Sequence, residues 1–339
     1  MLTRRSVLAA TAGGLALTAT PAVAGENTVK SLVDAQAAKL TQYDTVGIGA
    51  FKGRQQYSVK GDAIFQIGSI TKTFTALALA IADRGGQLSI DDPLAKHLPR
   101  RFPAPREVKL QQLSSHISGM PQLPPGLLED PALDWKDPYA HLTEEKLIAA
   151  LRNTTLVSRP GTTYMYSNYG AGLLGLALSR NYEALVRHRI TLPLGLRDTT
   201  TTLNRDQRHR KVQGYDQTGV PTPDWTLPMI PGAGALYGTV DDLLRYQRAH
   251  LGEAPRSLKP ALDLVQQARF TIAPGFQVGL GWHMTTLASG QEVVFHDGGT
   301  GGFSSIAGFS RAKNAGVAII ANKFAAEVVP HALELLDSL

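Results

Sequence analysis

The hydrophobic and polar positions of this chain follow two periods, one typical of helices and one of strands. Apolar residues recur every three or four positions in six stretches, which predicts helices at 29–40, 70–82, 143–153, 172–189, 239–250 and 326–336. Alternating or continuous apolar runs bounded by turn residues predict strands at 45–51, 55–60, 63–67, 277–285, 292–296, 303–309 and 317–322. Strands are therefore expected from both ends of the chain, with helices between them.

This order favours an α/β protein of the α+β type. We expect one antiparallel sheet built from both ends, flanked by N- and C-terminal helices, with a mostly helical insertion at about 87–210. The sheet and the insertion are expected to belong to one domain over 25–339, with the functional site in the cleft between them.

The first 24 residues have the features of a removable export signal. Arg4 and Arg5 precede an apolar stretch of small residues, and Ala22-Val23-Ala24 fits a signal peptidase cleavage site. A membrane-anchoring helix is the alternative, but the apolar run is too short to span a bilayer. The paired arginines predict a Tat-type signal, and the small residues predict its cleavage after Ala24. We therefore expect a periplasmic or secreted protein with no stable membrane insertion after cleavage.

Composition and motifs exclude several kinds of chemistry. The 339 residues contain no cysteine, which rules out thiol nucleophiles, disulfides and cysteine-ligated zinc. The net charge of +6 is scattered along the chain, so a nucleic-acid partner has little support. The chain has no zinc-hydrolase motif, Walker loop or Gly-x-Ser-x-Gly elbow, so no metal and no cofactor is predicted.

Two Ser-x-x-Lys motifs occur, and their surroundings differ. Ser310 and Lys313 lie in a polar stretch between two predicted strands, which is typical of a hairpin turn. Ser69 and Lys72 lie where a predicted strand passes into an apolar helix, so the lysine amine can face the serine hydroxyl on one side of the helix. Burial there would lower the lysine pKa and favour a proton-accepting amine. The alternative is a helix-capping serine beside a solvated lysine.

Two further motifs follow in the chain. Tyr166-Ser167-Asn168 pairs a proton-shuttling side chain with an amide, although a core tyrosine beside a turn asparagine would look the same. His296 begins a glycine-rich stretch whose Gly298 and Gly299 would let the backbone approach a substrate closely. A glycine-rich hairpin loop is the alternative there.

The three motifs in this order resemble those of the serine β-lactamase and penicillin-binding-protein superfamily. Tyr-x-Asn is similar to the second motif of class C β-lactamases, DD-peptidases and family VIII esterases. The resemblance covers about 44–322 and implies a β-lactamase/transpeptidase-like fold. His296 stands where class C β-lactamases have a lysine. A His-x-Gly motif at this position is similar to that of D-amino-acid peptidases and DD-carboxypeptidase/endopeptidases.

The resemblance also implies roles for the motif residues. Ser69 would be the nucleophile of an acyl-enzyme, with Lys72 as base and Tyr166 assisting. Asn168 would orient the acyl group, and the N–H groups of Ser69 and the Gly299 region would bind the oxyanion. His296 would orient the substrate carboxylate or the leaving group; it is expected to be mostly neutral at pH 7, and binding a carboxylate as a cation would require its protonated form. The expected substrate is a small molecule or a peptidoglycan peptide: D-Ala peptides first, β-lactams second and short esters third. A penicillin-binding sensor without turnover stays possible at this point, and oligomeric state is left open.

Overall fold

The computed structural model describes residues 28–339, so the export signal predicted at 1–24 lies outside the described residues. The helices are α1 (Val29–Ala38), α2 (Thr71–Arg84), α3 (Leu94–His97), α4 (Leu110–Ser114), α5 (Glu144–Arg152), α6 (Asn168–Leu178), α7 (Tyr182–Val186), α8 (Leu192–Leu194), α9 (Arg205–Arg210), α10 (Val240–His250), α11 (Lys259–Val265) and α12 (Val328–Ser338). None of these helices is both long enough and apolar enough to cross a membrane.

Eight strands form one antiparallel sheet in the order β2-β1-β12-β11-β10-β9-β8-β7. They are β1 (Val46–Lys52), β2 (Gln55–Val59), β7 (Phe270–Ala273), β8 (Phe276–Val278), β9 (His283–Thr286), β10 (Glu292–Gly299), β11 (Ser304–Ser310) and β12 (Ala315–Ala321). Two strand pairs lie outside it, β3 (Phe65–Gln66) with β6 (Tyr237–Gly238), and β4 (Gly214–Tyr215) with β5 (Pro221–Thr222). The α+β fold with one antiparallel sheet from both ends of the chain is confirmed.

Both faces of the central strands are buried, which explains their continuous apolar sequences. On β12, Val317 and Ile319 pack in a cluster with α1 and α12. The intervening Ala318 and Ile320 face a larger cluster that includes α2 and α10. The period of two therefore places α2 on the face opposite the two terminal helices.

Three predicted elements differ from the structure. The helix predicted at 172–189 is two helices, because the backbone at Ser179 is extended and Asn181 caps the second one. The strand predicted at 277–285 is divided at Gly281, whose φ is +70°. The strand predicted at 63–67 forms a ladder only at Phe65–Gln66, where it pairs with β6, and Ile64 makes an isolated bridge to Lys211.

Candidate active site

Ser69 lies in the turn that connects β3 to α2. Residues Gly68–Ile70 form one turn of 3₁₀ helix directly before Thr71, and the Ser69 side chain is partly exposed. Gly68 has φ of +51°, and a Cβ atom there would lie 2.7 Å from the backbone nitrogen of Gly299. A glycine at position 68 therefore permits both the left-handed turn and the close approach of β10.

The Lys72 amine lies next to the Ser69 hydroxyl and is only 3% exposed. Its Nζ atom is 2.8 Å from Ser69 Oγ, 2.8 Å from Asn168 Oδ1 and 2.6 Å from the carbonyl oxygen of Ala233. Ala233 ends the 3₁₀ turn Pro231–Ala233, which packs on α2 and α6. Three polar partners therefore fix the position of the amine.

Burial of the Lys72 amine lowers its pKa to about 7, although the negative charge of Asp297 acts in the opposite direction. An ammonium group loses its hydration inside a protein, and this cost favours the neutral form. The sequence argument expected this direction from the apolar helix alone. Close to neutral pH, a large share of the molecules therefore carry a neutral amine at this position.

Tyr166 lies on the other side of the same two residues. Its ring centroid is 4.8 Å from Lys72 Nζ, and its hydroxyl shares a hydrogen bond with Ser69. Burial raises the pKa of Tyr166 well above its usual value, and the hydrogen bond with Ser69 opposes that shift. The phenol is therefore protonated at neutral pH and can donate a hydrogen bond toward the serine oxygen.

Asn168 begins α6, directly after Ser167, the residue whose side chain caps that helix. While its Oδ1 atom accepts from Lys72, its Nδ2 atom donates to the hydroxyl of Tyr139 over 3.0 Å. Burial raises the pKa of Tyr139 to about 12, so this phenol also stays protonated. Tyr139 was missed by the sequence argument, because it lies in a proline-rich loop with no motif around it.

The glycines of β10 bring the third motif against the Ser69 turn. A Cβ atom on Gly298 would lie 2.3 Å from the carbonyl oxygen of Ile67 and 3.0 Å from the backbone nitrogen of Ser69. Ser305 on β11 also binds this segment, since its hydroxyl donates a hydrogen bond to the carbonyl oxygen of Ile67 over 2.9 Å. Gly299 is exposed at the end of the strand. The backbones of the Ser69 turn and Gly299 thus lie close together.

His296 is buried behind these glycines, and its burial decides against a cationic form. Its exposed fraction is 1%, and its Nδ1 atom is 2.5 Å from the carbonyl oxygen of Asp297. Burial and the charge of Lys72 lower the pKa of His296 to about 3. The imidazole is therefore neutral at physiological pH, because burial removes the hydration that a cation would need and the surroundings do not replace it.

Two more buried histidines pack around the tyrosines of the second motif. His116 accepts a hydrogen bond from the Ser167 nitrogen at 3.1 Å and lies 4.3 Å from the Tyr166 ring, centroid to centroid. His283 is 2.9 Å from the Tyr164 hydroxyl and 5.2 Å from His296 between ring centroids. Burial lowers the pKa of each of these two histidines below its usual value. No sequence motif identified His283.

The second Ser-x-x-Lys motif lies elsewhere. Ser310 is buried at the end of β11, and Lys313 in the following turn donates to the carbonyl oxygen of Asp337 over 2.8 Å. The turn connects β11 to β12, which confirms the hairpin predicted for this stretch.

Similarity to known proteins agrees with this geometry. The sequence profile of the family described as Beta-lactamase matches residues 30–338, and the chain therefore belongs to the Beta-lactamase family of serine hydrolases. Over 289 residues it is 29% identical to the D-alanyl-D-alanine-carboxypeptidase/endopeptidase AmpH of Escherichia coli (strain K12), with 77% of this chain and 71% of that protein covered.

Solved structures show the same fold. A class C β-lactamase superposes with a TM-score of 0.81 at 21% identity, covering 92% of this chain and 98% of the other. A D-stereospecific amidohydrolase from Streptomyces sp. superposes with a TM-score of 0.74 at 26% identity, covering 89% and 97%. The recognition from three short motifs is confirmed, and the protein is an enzyme of the serine hydrolase type.

Proposed function

We propose that this enzyme hydrolyses peptides containing D-alanine through an acyl-enzyme on Ser69. The observation that carries the proposal is the set of partners around Lys72 Nζ. A neutral amine has two hydrogens and one lone pair. The carbonyl oxygens of Asn168 and Ala233 accept the two hydrogens, which leaves the lone pair directed at the Ser69 hydroxyl 2.8 Å away.

In the proposed reaction, the Ser69 hydroxyl gives its proton to the Lys72 amine as Oγ bonds to the substrate carbonyl carbon. The proton passes to the leaving nitrogen when the C–N bond breaks, and Tyr166, hydrogen-bonded to Ser69, is placed to assist that transfer. Water then cleaves the ester and restores the serine. The first of these steps uses the amine of Lys72, which lies 2.8 Å from Ser69 Oγ.

Two backbone N–H groups are proposed to stabilise the oxyanion that forms during each step. Ser69 supplies one at the start of α2, where the helix also contributes positive potential. Gly299 supplies the other from the end of β10. Asn168 orients the acyl group through its side-chain amide, which Tyr139 holds in place.

The substrate class rests on the relatives. The Escherichia coli relative is named for D-alanyl-D-alanine peptides, and the Streptomyces relative for D-stereospecific amide hydrolysis. Both names describe amide bonds next to a D-residue. β-Lactams are the second substrate class, and the neutral His296 counts against them because it offers their carboxylate no cation.

The test combines covalent labelling with turnover. A fluorophosphonate probe should label wild type and Ser310→Ala, in which the other Ser-x-x-Lys motif is removed, but not Ser69→Ala. A D-Ala-D-Ala pentapeptide and its C-terminal amide should be cleaved, in preference to a chromogenic cephalosporin and p-nitrophenyl butyrate. Labelling that survives in Ser69→Ala contradicts the nucleophile. Stoichiometric labelling by a penicillin with no turnover of any substrate would indicate a sensor instead.

We also propose that residues 1–24 direct export through the Tat route, with cleavage after Ala24. A reporter fused to residues 1–26 should reach the periplasm and lose 24 residues, as measured by mass spectrometry. Replacing Arg4 and Arg5 with lysines should block this export, while a conventional secretion signal on the same reporter serves as the control. Full export of the double-lysine fusion would rule out the Tat route.

A further inference from the structure

Asp297 lies on β10 between the buried His296 and the Gly298 that contacts the Ser69 turn. β9 pairs with β10 only as far as Phe295, which lies opposite His283. Beyond Phe295, β10 pairs with β11 on one side, and in residues 28–339 no strand covers its other edge. Asp297 therefore lies one residue from the point where β10 contacts the Ser69 turn, on a strand edge that no described strand covers.

The carboxylate of Asp297 has no partner in the described part of the chain. The hydrogen bond recorded at this residue uses its backbone carbonyl, and none of the ion pairs among residues 28–339 includes its side chain. The side chain is partly exposed. Its charge nevertheless acts on the site, because it raises the pKa of Lys72 and contributes to the raised pKa of Tyr164 and Tyr166.

Among the described residues, the basic side chains that pack around Ser69 are neutral when the enzyme is ready to react. Lys72 must be neutral to accept the serine proton, and burial keeps His116, His283 and His296 neutral. The reaction centre then carries one negative charge, on Asp297. A free carboxylate on the residue that follows the scissile bond would be repelled, whereas a neutral amide would not and an ammonium group would be attracted.

We propose that Asp297 determines substrate specificity by selecting D-residue amides whose leaving group is neutral or cationic over those whose leaving group carries a free carboxylate. This inference rests on the proposed hydrolysis of D-alanine peptides and specifies which of them react well. It makes the enzyme an amidase for blocked or extended D-peptides and a poor carboxypeptidase.

Three peptides with the same acyl part test the proposal. In each peptide the acyl part is N-acetyl-D-Ala, joined to a different leaving group. The leaving group is D-alanine, which is anionic, D-alaninamide, which is neutral, or the 2-aminoethylamide of D-alanine, which is cationic. For wild type, kcat/KM should be at least about tenfold higher for the neutral and cationic peptides than for the anionic one. In high salt this preference should shrink, because screening weakens interactions between exposed charges.

Asp297→Asn keeps the size of the side chain and removes its charge. The preference over the anionic peptide should fall about five- to tenfold, the effect expected of one charge acting over several ångströms near a protein surface. Glu292→Gln is the matched control, because it removes the same charge from the exposed far end of the same strand and should leave the ratio unchanged. Comparing ratios cancels any change in Lys72 basicity, which affects all three peptides alike.

Equal rates for the three peptides in wild type, or a preference for the anionic one, would overturn the proposal. So would an Asp297→Asn variant whose three rates change by the same factor. If the Asn variant does not fold, the salt dependence of the wild-type ratio decides. If wild type cleaves none of the peptides while Ser69 still reacts with a fluorophosphonate, the proposed D-peptide activity is wrong and this inference falls with it.

Discussion

The pH dependence of turnover provides a direct test of the role of Lys72. An ordinary lysine with a pKa of 10.5 would be neutral in only about one molecule in 3000 at pH 7, whereas a pKa of about 7 makes about half of them neutral. Burial of this one amine therefore raises the fraction of competent base roughly a thousandfold at neutral pH. Because the neutral form is the base, kcat/KM should rise with pH and reach half its maximum near pH 7.

The assay is kcat/KM for the neutral D-alaninamide peptide at constant ionic strength, from about pH 5 to about pH 9. The charge of Asp297 raises the pKa of Lys72, so Asp297→Asn should move the midpoint to lower pH. Glu292→Gln, on the same strand, should leave the midpoint in place. Because His296 is already neutral in this range, His296→Gln should not introduce or remove a limb of the profile, whatever it does to the maximum.

A profile that stays flat from about pH 6 to about pH 8 would refute the reasoning, since Lys72 would then not titrate as the base. A profile that falls over this range would also refute it, and would instead support a protonated His296 as the competent form. A midpoint near the ordinary lysine value would mean that the amine is more hydrated than its 3% exposure indicates.

Two further variants, each with a control, test the residues that hold the site in place. Tyr139→Phe removes the acceptor of the Asn168 amide; loss of one hydrogen bond of about 1 kcal/mol should lower kcat/KM about fivefold without moving the pH midpoint. Tyr169→Phe, which breaks a 3.2 Å contact with Thr154 instead, should leave kcat/KM unchanged, and equal losses in both variants would contradict the role of Tyr139. Gly298→Ala places a carbon 2.3 Å from the Ile67 oxygen, so we expect about 1–3 kcal/mol of lost stability in urea unfolding and a loss of kcat of at least about a hundredfold. The Cβ of Gly299→Ala meets only the Phe303 oxygen at 3.9 Å, so this control should keep its stability, and a fully active Gly298→Ala would exclude the proposed oxyanion site.

Most of the fold was readable from the sequence because its signals are local. Continuous apolar runs identified β11 and β12, whose faces are both covered, and helical spacing identified α2. The errors arose at short interruptions. The extended backbone at Ser179 and the division of the strand at Gly281 break patterns whose average period stays correct.

The sequence by itself also determined which residues form the candidate site, since Ser69, Lys72, Tyr166 and Asn168 come together as their motifs predicted. Spacing within a motif acts over one helical turn, so the Ser69–Lys72 contact follows from position alone.

Only the tertiary structure decided the charge state of the site and the groups that hold it in place. Ala233 and Tyr139 reach Lys72 and Asn168 from segments distant in sequence, so no local pattern predicts these two contacts. From the sequence alone His296 could carry a charge, but the fold buries its imidazole, and burial keeps it neutral. The physical reason is that a pKa depends on the hydration a group loses and on the charges around it, and both are set by long-range packing.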